Sequence, residues 1–483
     1  MDFRIVTYVL GKLSIALGCT MAVPLAAAVY YQETSYTVLI FAMALCFVVG
    51  AIGSTEGRRP TEGLTLREGI AITTLGWIMA TFLGAVPYVG GGYLSPLDGV
   101  FETISGLSGT GATVFTDIEA LPSSIVLWRA LTHWLGGLGI IVIFIALFPQ
   151  FSRGVVHMFN TESTGPTNDR SLPRIKEMAQ ALFLVYLVFT IACIIVLMLC
   201  GMPFIIAVDH AFATIATGGF SSYNSSVAHF DSAPIEGWLA FFMIISSANI
   251  GMYVAAWQRG FSVIWKDTEF RCFLGLVFGS TLVMTGNLML SQDWTIGYAL
   301  RETFFQAASI ASSTGFVSYD FEQWPTFSKL ILLGLMFIGG CAGSTAGGLK
   351  VTRVMLLYKT ARAIFHRLLH PQGVMRVRSN GDDFSADILW GVGRFFCVYV
   401  FLDMLWAVIL VFDGVSIFDA VSLSISAMGS CGPAFGLFGA TGTCAPLPPL
   451  SKVAISFAML MGRLESFPVL VLCMPSFWRK HTW

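Results

Sequence analysis

Ten apolar segments, each about 20 residues long, are the feature that most restricts how this 483-residue chain can fold. They lie near residues 5–31, 36–53, 69–88, 124–148, 179–200, 236–257, 271–290, 327–356, 389–412 and 450–475. A helix of about 20 apolar residues crosses the hydrocarbon core of a bilayer. Only 11% of the residues are charged, against about 25% in soluble domains. The sequence therefore predicts an all-α polytopic membrane protein with ten crossings.

The positions of lysine and arginine predict how the chain is oriented. Loops on the cytoplasmic side of a membrane protein carry an excess of these residues. Here the clusters follow even-numbered spans: Arg58, Arg59 and Arg67; Arg153, Arg170, Arg174 and Lys176; Arg259, Lys266 and Arg271; Lys359, Arg362, Arg367, Arg376 and Arg378; Arg479 and Lys480. We therefore expect both termini to be cytoplasmic. The net charge of −1 gives no indication of a nucleic-acid partner.

The four connections on the opposite side resemble one another. They read "SPLDGVFETISGLSGTGATVF", "MPFIIAVDHAFATIATGGFSS", "IGYALRETFFQAASIASSTGFVS" and "VSIFDAVSLSISAMGSCGPAFG". They align on one glycine each, with small residues three and six positions earlier: Gly111, Gly219, Gly315 and Gly432. Small residues at this spacing share one helix face and allow close packing. Each connection therefore predicts a short helix of about three turns that ends in a glycine-bearing loop.

An acidic residue stands thirteen positions before the aligned glycine in three of the four copies, namely Asp98, Glu302 and Asp419. Acidic side chains are favoured at helix N-termini, so we expect the short helices to begin at these residues. The order span, short helix, loop, span then occurs four times after an initial pair of spans. The predicted domains are 1–67 for the pair and 68–178, 179–270, 271–388 and 389–483 for the four repeats.

Four such loops around a shared axis predict a site for a monovalent cation. A short helix that enters from outside places its partially negative C-terminal end at mid-membrane. Glycine permits backbone angles that turn carbonyl oxygens inward, and a ring of carbonyls can replace the hydration shell of an ion. No Asp or Glu lies within two residues of the four glycines. The alternative is a set of packing helices with no role in conduction.

The segment "IGGCAGSTAGGLKVTR", residues 338–353, predicts a break inside the membrane. Five of the ten residues from Gly339 to Gly348 are glycine, and each interior glycine costs a helix roughly 1 kcal/mol relative to alanine. The segment follows only about a dozen apolar residues, 327–338. Irregular backbone at that depth is tolerated where it lines protein or water. A phosphate-binding loop is excluded because Val351 follows Lys350, so no G-x-x-x-x-G-K-[ST] pattern is present.

With its four repeats, "GGCAGSTAGGLKV" and "GRLESF", the chain resembles the Trk/Ktr/HKT superfamily of potassium transporters. The two additional N-terminal spans are similar to those of the bacterial Trk-type membrane subunits (TrkH and TrkG). The resemblance implies K⁺ uptake across the bacterial inner membrane by a homodimer, with Rb⁺ and Na⁺ as further candidate ions. It also implies a cytoplasmic TrkA-type partner with nucleotide-binding domains, and a membrane subunit that is neither an enzyme nor a cofactor-binding protein.

The resemblance also assigns roles to individual residues. The selectivity filter for K⁺ would consist of Thr110, Gly111, Gly218, Gly219, Thr314, Gly315, Cys431 and Gly432. The gate would consist of Gly343, Ser344, Thr345, Ala346, Gly347 and Arg463, with the arginine in the cavity just below the filter. The fourth filter loop departs most from the others, because Cys431 and Pro433 flank its glycine.

Several alternatives stay open at the level of sequence. Arg463 could instead pair with Glu465, Asp403 could be a structural partner, and Cys431 could form a disulfide with Cys444. A secondary carrier for an organic solute would need discontinuous helices in inverted halves, and a membrane enzyme would need clustered His, Asp or Glu. The sequence leaves open whether flux is coupled to H⁺ or Na⁺, the K⁺/Na⁺ ratio and the regulating nucleotide.

Overall fold

Helices make up nearly all of the regular structure in the computed structural model, which describes residues 1–57, 64–139, 172–370, 377–380 and 382–478. The helices are α1 Phe3–Thr20, α2 Ala22–Tyr30, α3 Tyr36–Glu56, α4 Leu66–Gly90, α5 Pro96–Ser108, α6 Ser123–Gly137, α7 Leu172–Leu199, α8 Phe204–Ile215, α9 Ala233–Ser246, α10 Ile250–Arg259, α11 Ser262–Lys266, α12 Thr268–Gln292, α13 Ile296–Ala311, α14 Thr326–Ile338, α15 Val351–Leu369, α16 Ala386–Phe412, α17 Ile417–Gly429, α18 Pro449–Arg463, α19 Phe467–Leu472 and α20 Pro475–Trp478. A two-residue strand β1, Arg378–Ser379, pairs antiparallel with β2, Asp382–Asp383.

Within these described residues, six helices are long and apolar enough to cross a membrane: Phe3–Tyr30, Tyr36–Glu56, Leu66–Gly90, Glu177–Leu199, Thr268–Gln292 and Ala386–Phe412. They correspond to the predicted spans 1, 2, 3, 5, 7 and 9. The predicted fourth span, 124–148, is described only as far as residue 139. The predicted domain boundaries stay predictions.

Three of the other predicted crossings are interrupted rather than continuous, and each is the second span of a predicted repeat; the described part of the fourth span ends its helix at Gly137. Helix α6 ends at Gly137, α9 and α10 are separated by residues 247–249, α14 and α15 by 339–350, and α18 and α19 by 464–466. The sequence prediction of an uninterrupted crossing over 236–257 was wrong, because α9 and α10 meet at a bend of 84°.

Local hydrogen bonds explain this bend. The side chains of Ser246 and Ser247 donate to carbonyls four residues earlier, at 2.8 and 2.7 Å. Such bonds weaken and bend the end of a helix. Asn249 then caps the next helix, since its Oδ1 accepts the Gly251 N–H at 2.8 Å. The sequence therefore ends one helix and starts another within three residues.

The N-terminal pair of helices packs closely through small residues. A side chain at Gly11 of α1 would come within 2.8 Å of the Gly53 backbone in α3, so both positions need glycine for the helices to approach. The Ser14 hydroxyl donates to the Cys46 carbonyl at 2.7 Å, and both residues are buried. This pair packs in turn against α4, the first helix of the predicted first repeat.

Candidate functional site

The four short helices α5, α8, α13 and α17 end in the same backbone structure. The residue two positions before each aligned glycine has a left-handed φ of 50–72°: Gly109, Thr217, Ser313 and Ser430. The N–H of the next residue donates to the carbonyl five residues earlier, at 2.8–2.9 Å in all four copies. This is a Schellman motif, which satisfies carbonyls at a helix C-terminus. The carbonyl acceptor is in each copy the small residue six positions before the aligned glycine.

The expectation about the helix N-termini holds in two copies and was wrong in a third. Ser95 and Ser416 cap α5 and α17, and their hydroxyls accept the N–H groups of Asp98 and Asp419 at 3.3 and 3.2 Å. Glu302 lies well inside α13, which begins at Ile296. Its carboxylate accepts a hydrogen bond from Ser318 at 2.6 Å. Glu302 therefore stabilises the loop that follows the aligned glycine Gly315 instead of starting the helix.

The four aligned glycines, which we call the glycine ring, contact one another in a closed cycle. All four have left-handed φ values, 83° at Gly111 and Gly219, 80° at Gly315 and 97° at Gly432. A Cβ on any of them would collide with the carbonyl oxygen of the residue before the glycine in another copy. The glycine of copy one lies against the carbonyl of Gly218 in copy two, and that of copy two against Thr314 in copy three. The glycine of copy three lies against Cys431 in copy four, and that of copy four against Thr110 in copy one.

The fourth loop follows the same backbone path as the other three despite its unusual sequence. A Cβ at Gly432 would lie 2.5 Å from the Thr110 carbonyl, which closes the cycle. Cys431 and Cys444 are both free and buried, so the structure contains no disulfide between them. Pro433 lies against Gly315 of the preceding copy. The loop therefore obtains its shape from packing and the helix-end hydrogen bonds.

A cavity of about 110 Å³ opens on the side of the ring formed by the residues that follow the glycines. Its lining includes all four ring glycines and polar residues of several loops, among them Thr113, Ser221, Asn224 and Thr443. Carbonyl and hydroxyl oxygens of this kind suit a hydrated cation that is about to lose its water.

A buried ion pair behind the ring joins the first two copies. Arg129 Nε lies 2.8 Å from Glu102 Oε1, and both side chains are at most 1% exposed. The carboxylate accepts the Val114 N–H at 2.9 Å, and the guanidinium donates to the Ser221 carbonyl at 3.3 Å. The sequence analysis missed this pair, although an arginine inside an apolar span is a signal for a partner.

Glu102→Gln should lower the stability of the purified protein by about 3–5 kcal/mol, because it leaves a buried charge without its partner. The measurement is thermal unfolding in detergent. Lys329→Ala is the matched control, since its pair with Glu322 lies at 2.7 Å with side chains 20% and 25% exposed. Pairs open to solvent contribute about 0–1 kcal/mol. Equal unfolding temperatures for Glu102→Gln and the parent protein would contradict the prediction.

The two ends of the glycine-rich loop, residues 339–350, are joined by backbone hydrogen bonds. The chain leaves α14 at Gly339 and resumes as a helix at Val351. Leu349, Lys350 and Val351 donate backbone hydrogen bonds to the carbonyls of residues 337, 338 and 340 at 3.2, 2.8 and 3.0 Å. The tip, residues 341–348, therefore projects from a closed stem.

The tip contacts the break between α9 and α10. The Cys341 N–H donates to the Ser247 carbonyl, and the Ile250 N–H donates to the Gly343 carbonyl, both at 3.0 Å. The Thr345 hydroxyl lies 3.2 Å from the Ser246 carbonyl. Two of the interrupted second spans thus satisfy each other's free backbone groups.

Arg463, the last residue of α18, brings two further helix ends to the same place. Its Nη1 donates to the Thr345 carbonyl at 2.9 Å, and its Nη2 donates to the Gly136 carbonyl at the end of α6 at 2.6 Å. Glu465, the alternative partner considered from sequence, lies 2.6 Å from Arg353 instead. The guanidinium therefore binds one carbonyl oxygen of the loop tip and one at the C-terminal end of α6, where the helix dipole favours a cation.

The other residues singled out from sequence lie near the ring or the loop in different ways. Asp403 is buried in α16, and its Oδ1 accepts a hydrogen bond from Ser424 of α17 at 3.3 Å. Ser424 also donates to the Asp403 backbone carbonyl at 2.7 Å. This arrangement ties the fourth short helix to the span before it. Ser344 and Ala346 lie in the tip of the glycine-rich loop, joined by a hydrogen bond of 3.3 Å.

Comparison with known proteins gives matches over nearly the whole chain. Residues 35–480 match the family model TrkH, described as a cation transport protein. The Trk system potassium uptake protein TrkH of Salmonella typhimurium is 36% identical, with 99% of this chain and 100% of that protein covered. TrkG of Escherichia coli is 31% identical, with 99% of each chain covered. The crystal structure of the potassium transporter TrkH from Vibrio parahaemolyticus superimposes with a TM-score of 0.90 at 32% identity, covering 99% of this chain and 100% of that one.

Proposed function

Because the chain belongs to the TrkH family of cation transport proteins, we propose that it carries K⁺ into the cell through a selective pore. It is a transport protein and not an enzyme. The relatives from Salmonella typhimurium and Escherichia coli are named as potassium uptake proteins. We place the protein in the bacterial inner membrane with both termini cytoplasmic, as the lysine and arginine clusters favour.

The observation that carries this proposal is the closed cycle of left-handed glycines. In each copy the residue before the glycine turns its carbonyl oxygen toward the neighbouring copy: Thr110, Gly218, Thr314 and Cys431. Four short helices end at the ring, and their partially negative C-termini favour a cation there. Backbone carbonyls can replace the water shell of K⁺, and no carboxylate lies within two residues of a ring glycine.

We propose further that the glycine-rich loop and Arg463 form one gate. The tip of the loop contacts the break between α9 and α10 and the side chain of Arg463 at the end of α18, and Arg463 in turn binds the end of α6. A Cβ on Gly347 would collide with the Gly429 carbonyl, so the tip lies directly against the C-terminal end of the fourth short helix. The guanidinium holds carbonyls that an entering ion would otherwise use. A charge held in this low-dielectric region also repels a cation strongly.

The family resemblance supports a homodimer and a cytoplasmic TrkA-type subunit that controls the gate. Helix α15 carries Lys359, Arg362 and Arg367 of the predicted cytoplasmic basic cluster, and it continues directly from the stem of the glycine-rich loop. A partner that binds α15 on the cytoplasmic side and moves this helix would therefore also move the stem of the loop, to which the tip is attached.

Uptake of radioactive Rb⁺ tests the transport function directly. The chain is expressed in K⁺-starved bacteria that lack their own K⁺ uptake systems, and we expect saturable Rb⁺ uptake that K⁺ inhibits and Na⁺ inhibits far less. The control is the same strain with the vector alone. Absence of Rb⁺ uptake from cells that contain the intact protein in the inner membrane would contradict the proposal.

A further inference from the structure

Three of the four short helices carry a side chain where the backbone favours glycine. The left-handed residue of a Schellman motif is usually glycine, because other residues are strained there. The first helix follows this rule with Gly109, but the others have Thr217, Ser313 and Ser430 at φ values of 53°, 54° and 50°. Threonine is the most unusual of these, since a β-branched residue at positive φ is an outlier. Strain retained at a site of this kind points to a role for the side chain.

Two of these hydroxyls bond to the tip of the glycine-rich loop. Ser313 Oγ accepts the Gly347 N–H at 2.6 Å. The Thr217 hydroxyl lies 3.2 Å from the Thr345 hydroxyl, and its proton is shared with the Ala216 carbonyl at 2.7 Å. Ser313, Thr217 and Thr345 are at most 3% exposed. The tip is therefore tied to the ends of two different short helices, immediately before the ring.

The third hydroxyl provides an internal comparison. Ser430 has the same left-handed backbone, but its Oγ is buried and has no hydrogen-bond partner among the described residues. All three positions therefore share the strain, while only two contribute a bond to the tip.

We propose that Thr217 and Ser313 are latch residues that hold the glycine-rich loop closed against the glycine ring. This inference rests on the proposed gate and adds what keeps that gate shut. The latch residues are positioning residues, because they act through the loop. Each latch residue directly precedes a proposed filter residue, since Thr217 is followed by Gly218 and Ser313 by Thr314. Release of the loop would therefore also free the backbone at the inner end of the ring. Gate and filter are in this way one hydrogen-bonded unit.

Removal of either hydroxyl tests the latch. Thr217→Val and Ser313→Ala are each expected to raise K⁺ flux in proteoliposomes without a cytoplasmic partner, by about fivefold or more for Ser313→Ala, which leaves the Gly347 N–H unsatisfied. The increase for Thr217→Val is expected to be smaller, because its bond is longer and shared. Thr217→Ser keeps the hydroxyl and should leave flux at the parent level.

Glycine variants separate the bond from the strain. Thr217→Gly, Ser313→Gly and Ser430→Gly all relieve the strain of the left-handed backbone, because glycine adopts positive φ readily. Flux should rise for the first two only. An equal rise for Ser430→Gly would show that backbone strain, and not the hydroxyl bond, controls the loop, and would overturn the inference.

A double variant identifies the bonding partner, and a deletion separates the latch from the gate. Thr217→Val combined with Thr345→Val should raise flux by less than the product of the two single increases, because both remove the same bond. Deletion of residues 343–347 is the reference for an opened gate. If the deletion raises flux and the hydroxyl variants do not, the assignment of Thr217 and Ser313 as latch residues is wrong, while the assignment of the loop as a gate is retained. If the deletion leaves flux unchanged, the gate assignment fails and the latch with it.

Discussion

Replacement of Gly315 or Gly111 by serine is expected to lower the K⁺/Na⁺ permeability ratio about tenfold or more. Both glycines have left-handed φ values, which cost a residue with a Cβ roughly 1–2 kcal/mol. The new Cβ would also meet the carbonyl of Cys431 or of Gly218 in the neighbouring copy. About 1.4 kcal/mol of differential binding is a factor of ten, so a small displacement of one carbonyl suffices. The measurement is the ratio of K⁺ and Na⁺ currents in liposomes.

Gly279→Ser is the matched control for these variants. Gly279 lies in the middle of α12, where a Cβ would meet no atom within 4 Å. The same chemical change at this position should leave the permeability ratio unaltered. Parent-like ratios for both Gly315→Ser and Gly111→Ser would remove the filter assignment.

Deletion of Gly343 to Gly347 is expected to raise K⁺ flux about 5–150-fold, the range of a coupling of 1–3 kcal/mol. The deletion removes the part of the tip that carries the bonds to Arg463, Ser313 and α10. The stem remains closed by hydrogen bonds from residues 349–351 to residues 337–340, so α14 and α15 keep their relative positions. Flux is measured in proteoliposomes with and without the cytoplasmic partner, on which the deleted protein should depend less.

Arg463→Ala is expected to act in the same direction as the deletion. Its loss removes a positive charge from the path and frees the carbonyls of Gly136 and Thr345. Because the Thr345 carbonyl is itself removed by the deletion, the double variant should give less than the combined effect of the two changes. A deletion that abolishes flux in a folded, dimeric protein would identify the loop as a hinge or an ion site instead of a gate.

Features that depend on residues close in sequence were open to prediction. The register of the four ring glycines follows from the small residues three and six positions earlier, and the residue six positions earlier supplies the carbonyl acceptor of each Schellman motif. The break at 339–350 follows from glycine content alone. Family membership, the all-α fold and the transport of K⁺ by relatives agree with the sequence analysis.

Features that depend on contacts between residues distant in sequence could not be predicted. Glu102 and Arg129 are 27 positions apart and lie in different helices, so no periodicity relates them. Glu302 has the same alignment position as Asp98 and Asp419, yet α13 begins earlier and gives its carboxylate a different role. The bend between α9 and α10 arises from side-chain hydrogen bonds of serine and asparagine. These residues lie within an apolar run whose hydropathy alone predicts one continuous helix.

The closed cycle of the glycine ring is built from one chain, and its quarters are chemically unequal. The carbonyls that face the neighbouring glycines belong to threonine in two copies, to glycine in one and to cysteine in one: Thr110, Thr314, Gly218 and Cys431. In a ring of four identical subunits every substitution is repeated four times. Here a substitution at one ring glycine alters a single copy. The carbonyl that its new side chain would displace first belongs to one known neighbouring copy.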